Sequence, residues 1–196
     1  MSHDYAPEPA IDRPDMYDRM LAGELYIADH PRIVAEQAGA HRLMEAFNAT
    51  PAADRAGQRG ILERLLGSVG TDVMVRAPLY CDYGNHIAIG ARTFVNFGLV
   101  ALDVAPITIG SDCQIGPNVQ LLTPIHPLDP DLRRDKWEQA SPIVLGDNVW
   151  LGGGVIVLPG VTIGPDTVVG AGAVVSRDLP AGVVAVGTPA RVVREI

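Results

Sequence analysis

Residues 145–180 read "LGDNVW LGGGVI VLPGVT IGPDTV VGAGAV VSRDLP", six blocks of six residues led by Leu145, Leu151, Val157, Ile163, Val169 and Val175. In a preset frame, six successive aliphatics arise by chance on the order of once in a thousand trials, so the period belongs to the fold. Helices and coiled coils repeat at about 3.6 and 3.5 residues and tolerate few glycines, which excludes both. A six-residue period fits a parallel β-helix in which each block supplies one short strand and one turn, its leading aliphatic pointing into a narrow stacked core. Three blocks close one triangular coil, and stacking buries what a single coil leaves exposed.

The same frame runs backward through Leu121, Ile115 and Ile109, while Ile89, Val95 and Ala101 are offset from it by two residues. The offset predicts a wider turn near Asp103 to Pro106. Between Leu121 and Leu145 the core slots hold Pro127, Arg133 and Gln139. Residues 123–142 are therefore expected to leave the coil as an excursion, with His126 at its root. Long excursions from compact scaffolds tend to carry function.

Ahead of the repeat, residues 14–70 read as a helical leader. In "PDMYDRMLAGELYIAD", Met16, Met20, Leu21 and Leu25 are spaced as one apolar stripe. A second helix is expected over about Arg32 to Phe47. A third is expected to start at an N-cap Thr50 with Pro51 at its first position, turning Ile61, Leu62, Leu65 and Leu66 inward and ending at Gly67 and Gly70. Residues 1–13 read as a disordered or extended tail, and 71–196 as the β-helix domain.

At 196 residues, with 47% hydrophobic and 19% charged side chains, the chain has the composition of a globular protein. Aromatics make up only 5%, so the core is aliphatic. The net charge of −8 argues against a sequence-independent grip on nucleic acid or on anionic lipid. The start lacks a signal peptide's basic and apolar regions, and no apolar run approaches membrane-spanning length. A cytoplasmic protein without membrane or nucleic-acid partners is expected. Cys81 and Cys113 lack CxxC partners and read as small core residues.

The hexads and leader together resemble the hexapeptide-repeat sugar O-acetyltransferases, the maltose and galactoside acetyltransferases. The resemblance is carried by "MLAGELY", "CDYGNHIAIG", "FVNFGLVALD", "HPLDP", "DNVWLGG" and "VGTPARVVREI". It implies a mainly β fold, a left-handed parallel β-helix behind an N-terminal α-helical segment, assembled as a homotrimer with active sites between subunits. It further implies acetyl transfer from acetyl-CoA to a sugar hydroxyl, with no metal required.

A free alcohol is a poor nucleophile at neutral pH, and a histidine is suited to take its proton during attack. The resemblance places the catalytic base at His126, which then returns the proton to the departing CoA thiolate; no acyl-enzyme is needed. His86, the other histidine of the repeat region, reads as structural. For the acceptor, the resemblance points to Asp82, Asn96 and Trp150, whose plain alternatives are a turn, a stacked amide and a packing aromatic. Asp103 is added beside Val104, where galactoside enzymes carry an acid, and a further acid of the leader falls on Ala28 or Asp29. For acetyl-CoA, Gly153 and Ala171 would offer backbone groups to the pantetheine arm, and Ser176, Arg177, Arg191 and Arg194 match contacts to the nucleotide end, where arginine forks suit phosphate. "RRDKWEQ", with Lys136 and Trp137, is placed to line or cover the site.

Other readings remain open at this point: an acetyltransferase for amino sugars, oligosaccharide signals or antibiotics, or a non-catalytic prism. A metal-dependent carbonic anhydrase on the same scaffold needs three histidines on adjacent coils converging on one metal, and the repeat holds only His86 and His126.

Overall fold

The computed structural model describes residues 15–196; the tail assigned to 1–13 lies outside them. A triangular prism of stacked coils carries three parallel sheets. The first face holds Ser68–Val69, Ile87–Ile89, Ile107–Ile109, Ile143–Leu145 and Thr162–Ile163. The second is laid down by Met74–Val75, Phe94–Val95, Gln114–Ile115, Trp150–Leu151, Val168–Val169 and Val183–Val186, and is closed by an antiparallel last strand, Arg191–Glu195. The third holds Leu79–Cys81, Leu99–Leu102, Gln120–Leu122, Ile156–Val157 and Val174–Val175. The coil therefore begins at Ser68, inside the stretch assigned to the leader.

The six block leaders from Leu145 to Val175 are all almost completely buried, and the leaders of successive coils stack in register. Cys81 and Cys113 are buried with them as unpaired thiols. A side chain at a coil corner has little room: an ideal Cβ on Gly110 would lie 2.6 Å from backbone atoms of Gly146 in the coil above. Corner residues also adopt left-handed φ, as at Asp112, Asn148 and Asp166, where short polar side chains tolerate it best.

Leu145 pairs with Ile163, eighteen residues on, but Ile89 pairs with Ile109, twenty on. The extra pair of residues enters at 103–106, and the coil below has the same width, Val69 pairing with Ile89. All the widening falls on one edge of the prism, where the third face turns into the first. Leu121 then pairs with Val157 and Ile109 with Leu145, each thirty-six residues apart. The excursion thus inserts the length of one coil, which is why the hexad frame resumes unshifted beyond it.

The leader forms α1 (Met16–Leu21), α2 (Pro31–Ala49) and α3 (Arg55–Leu65). Its details differ from the sequence expectation. Gly23, at φ +72°, follows the end of α1, leaving Leu25 outside the helix and Leu21 half exposed; Met16, Tyr17 and Met20 are the buried residues. Thr50 closes α2 instead of opening α3, its hydroxyl donating to the Ala46 carbonyl at 2.7 Å. The cap of α3 is Asp54, which accepts from the Gly57 N–H at 2.9 Å. A tight turn from Pro51 to Asp54, where the Asp54 N–H reaches the Pro51 carbonyl, displaces the start by four residues.

Two contacts explain why the leader sits at this end of the prism. Asn48 both donates to and accepts from the Leu79 backbone at 2.8 Å, and Arg59 donates to the carbonyls of Val69 and Gly70. They satisfy polar groups on the edge of the first coil, which would otherwise be open to another strand. No helix among the described residues is long and apolar enough to cross a membrane.

Candidate active site

The widened edge of the prism gathers the titratable groups. Its lowest turn carries Asp82, Tyr83 and His86, the next Asp103 and Val104, and the third opens into the excursion. There Pro124–Ile125 pairs antiparallel with Trp137–Ala140, Ile125 opposite Gln139. One step further along this register sets His126 opposite Glu138. The His126 Nδ1 lies 3.9 Å from Glu138 Oε1, too far for a hydrogen bond but close enough to pair with the imidazole once it is protonated, and the imidazole is 61% exposed. The other carboxylate oxygen, Oε2, accepts from the buried Tyr26 hydroxyl at 2.8 Å. Between the two strands, α4 (Pro130–Arg134) is capped by Asp129 and forms the exposed tip with Leu128.

Asp103 is fully buried and faces the backbone of the turn below. Its Oδ1 accepts from the N–H groups of Asp82 and Tyr83 at 3.0 and 2.9 Å, and its Oδ2 from His86 at 3.3 Å. Burial pushes this carboxyl above the usual carboxylate range, against the pull of the Tyr83 and Asp82 N–H groups and the nearby His86. A carboxylate occupied in this way shapes the turn that presents Asp82. His86 Nδ1 stands 2.6 Å from the Asp103 carbonyl, which can only accept, so Nδ1 carries the proton, and the ring packs on Tyr83 at 5.1 Å between centroids. Both contacts are structural.

Asp82 is half-buried, and its carboxyl is pushed up to about 6, first by burial and then by the neighbouring Asp103. Val104 is buried with Met16, Tyr17 and Tyr83 under the leader. Asp29 is exposed and pairs with Lys136 at 3.0 Å. Arg19 lies over the Trp137 ring at 5.6 Å. "RRDKWEQ" is thus stitched to the leader along one side of His126.

Asn96, Trp150, Gly153 and Ala171 are placed elsewhere. They line one groove of about 530 Å³, with Gln114, Pro117 and Gly170, along the second face and the edge where it turns into the third. Trp150 is 55% exposed, and the Asn96 side chain accepts from the Phe97 N–H at 2.9 Å, leaving its amide nitrogen free for another partner. Gly153 lies where a Cβ would come within 3.4 Å of Pro117, so the wall here is bare backbone. Arg191 pairs in register with Val186 above the Gly170 end of the groove, and Arg194 with Val184. Ser176 and Arg177 are exposed on the last turn of the widened edge. A slightly larger hollow, about 580 Å³ between α3 and the first coils, presents Arg55, Arg59 and Arg76 but no base or nucleophile.

Comparison with known proteins gives this two-edged layout a family. The maltose acetyltransferase hexapeptide capping motif matches residues 19–70, and the bacterial transferase hexapeptide repeat matches 142–177. Nodulation protein L of Rhizobium meliloti is 46% identical, covering 89% of this chain and 96% of its own. Galactoside O-acetyltransferase of Escherichia coli is 36% identical over 92% of this chain and 89% of its own. The chain belongs to the hexapeptide-repeat sugar O-acetyltransferase family. Its fold follows: a maltose O-acetyltransferase from Clostridium difficile superposes with a TM-score of 0.92 at 42% identity, covering 94% of this chain and 99% of that one. A hexapeptide-repeat acetyltransferase from Vibrio cholerae, solved with acetyl coenzyme A, superposes at 0.86 with 39% identity, covering 92% and 97%.

In this acyltransferase family member, sequence reasoning passed over two residues of the site. Glu138 lies in the aperiodic excursion, where no frame assigns it a direction, and only the antiparallel return strand brings it beside His126. Tyr26 was hidden in the leader signature. The alternation in "WEQA" across from "PIH" was the one available signal.

Proposed function

We propose that this chain transfers the acetyl group of acetyl-CoA to a hydroxyl of a sugar, with His126 as general base. The observation that carries the reading is the placement of an exposed imidazole at the root of the excursion with a carboxylate facing its Nδ1. A proton held on that nitrogen leaves Nε2 open to solvent as the base. His126 takes the hydroxyl proton as the alkoxide oxygen attacks the thioester carbonyl. The C–S bond then breaks, and His126 returns the proton to the thiolate sulfur. Neither buried cysteine takes part.

The acceptor is held by Asp82, presented by the Asp103-bonded turn, together with Asn96 and Trp150. A carboxylate and an amide offer complementary acceptor and donor groups to a polyol. Asp103 acts through Asp82 rather than on the sugar. The donor lies in the groove beside Gly153 and Ala171, where bare backbone allows close approach, with Ser176, Arg177, Arg191 and Arg194 serving its phosphates.

His126 and Asp82 occupy one edge of the prism, and Asn96, Trp150 and the donor groove another. One chain therefore presents two half-sites. A homotrimer that seats the first edge of one copy against the second edge of its neighbour supports a complete site at each interface.

The test is thiol release from acetyl-CoA against a panel of glucosides, galactosides, maltose and amino sugars. His126→Ala is expected to lower turnover by about 10²- to 10⁴-fold or more while leaving acetyl-CoA binding nearly intact. Near-normal turnover in that variant removes His126 from the chemistry, and silence of the native protein across the panel removes the sugar acceptor.

A further inference from the structure

We propose that Tyr26 of the leader is a positioning residue for the transfer reaction, acting through Glu138 on His126. The proposal rests on the reading of His126 as the base. Tyr26 and Ile27 form a two-residue strand that pairs antiparallel with the excursion, Tyr26 opposite Glu138 and Ile27 opposite Trp137. The three-stranded sheet so formed runs from the leader, through the returning strand, to the strand that ends one residue before His126. Tyr26 is 1% exposed, and its hydroxyl reaches Oε2 of Glu138 at 2.8 Å, while Oε1 of the same carboxylate faces His126 Nδ1 at 3.9 Å.

A glutamate on a surface strand turns freely about its last torsion, because that torsion is broad. Anchoring one oxygen on a buried phenol fixes the direction of the other. The fixed oxygen favours the imidazole tautomer with its proton on Nδ1 and steadies the imidazolium formed once Nε2 has taken the hydroxyl proton. Gln139 Nε2 donates to the Gly23 carbonyl at 2.9 Å and Lys136 pairs with Asp29 at 3.0 Å, so the leader grips the same strand on both sides of Glu138. Those side-chain contacts add to the backbone pairing of the two strands; among the described residues, the Tyr26 hydroxyl alone donates to the carboxylate that faces the base. The leader is on this account more than a cap for the prism: it sets the orientation of a group in the reaction.

The experiment compares Tyr26→Phe, Glu138→Gln, the double variant and His126→Ala, using acetyl-CoA and whichever panel sugar gives the fastest thiol release with the native protein. Tyr26→Phe is expected to lower kcat about tenfold, equivalent to about 1.4 kcal/mol of lost transition-state stabilisation, with KM for acetyl-CoA unchanged. Glu138→Gln is expected to lose at least as much, and the double variant no more than Glu138→Gln alone, since the phenol acts only through the carboxylate. Imidazole ¹⁵N shifts of His126 are expected to move from the Nδ1–H tautomer toward a mixture in Tyr26→Phe, a change that loss of packing alone does not produce.

Native kcat in Tyr26→Phe with an inactive His126→Ala overturns the proposal and leaves the base assignment standing. An active His126→Ala overturns the assignment and the proposal together. Additive losses in the double variant overturn it as well. Should Tyr26→Phe fail to fold, Glu138→Gln decides: native kcat and an unchanged ¹⁵N spectrum there refute the chain of contacts.

Discussion

Asp103 offers the sharpest test of how the widened edge is built. Its carboxylate satisfies three backbone N–H groups, of which that of Tyr83 is buried and those of Asp82 and His86 are partly buried. Replacing it by alanine strands the first donor, at about 1–3 kcal/mol, and weakens the other two by about 0.5–1.5 kcal/mol each, since water can reach them. Against this, removing a carboxylate that burial disfavours returns part of the cost. A net destabilisation of about 2–4 kcal/mol is expected for Asp103→Ala. Asp103→Asn is expected to cost about half as much, because the amide oxygen keeps the Asp82 and Tyr83 donors while its NH₂ opposes the His86 N–H. Urea unfolding at fixed protein concentration reads both. In the same variants Asp82 loses the neighbour that helps raise it, so its titration, followed by carboxyl ¹³C shifts, should fall from about 6 toward the usual carboxylate range. Stability within 1 kcal/mol of the parent in Asp103→Ala, with Asp82 still titrating near its native value, would refute the account of Asp103 as the builder of this turn.

Other consequences can be measured independently. Asp82 has its folded value raised from 3.8 to about 6, so its contribution to stability is full below 3.8 and is lost as pH rises through about 6. Relative to Asp82→Asn, the parent should therefore lose on the order of 2 kcal/mol of stability between pH 4 and 7, after allowance for solvent at a half-buried site; equal slopes in the two proteins would count against the burial of this carboxyl. Gly110→Ala should destabilise by at least about 2–3 kcal/mol, because its Cβ meets the backbone of the next coil, whereas Gly154→Asn, at φ +69° with open space around it, should change stability by less than about 1 kcal/mol. Asp54→Ala should cost about 1 kcal/mol through loss of the α3 cap, and Thr50→Ala should leave the start of α3 unchanged by hydrogen exchange. Calorimetry of Arg177→Ala and Arg191→Ala should show weaker CoA binding, and unchanged affinity in both would place CoA away from these arginines.

What the sequence made legible follows from periodicity. Leu145 to Val175 repeat every six residues because each must reach the same narrow core, so the prism, its aliphatic interior and the break at Pro127, Arg133 and Gln139 can be read without coordinates. Helix caps were less legible: Thr50 and Asp54 are both good capping residues four positions apart, and only the Pro51–Asp54 turn, closed by a backbone hydrogen bond, decides between them. The site divides along the same line. His126 announced itself by standing where the frame fails, but the direction of Glu138 depends on an antiparallel pairing between strands twelve residues apart, and that of Asp103 on which way one corner residue turns. Two of the acceptor residues, Asn96 and Trp150, share no edge of the chain with His126, and no reading of one strand's period can reveal that. The period fixes distances along and across one prism; in the proposed trimer, the relation of Asp82 and His126 to Asn96 and Trp150 is a relation between prisms. Mixed trimers put this in measurable form. A chain carrying His126→Ala and a chain carrying Trp150→Ala, each weak alone, should recover up to about a third of native activity per mixed trimer when co-assembled, because one of its three interfaces then pairs an intact His126 with an intact groove. Recovery absent from well-formed mixed trimers would mean that each chain holds its whole site on its own.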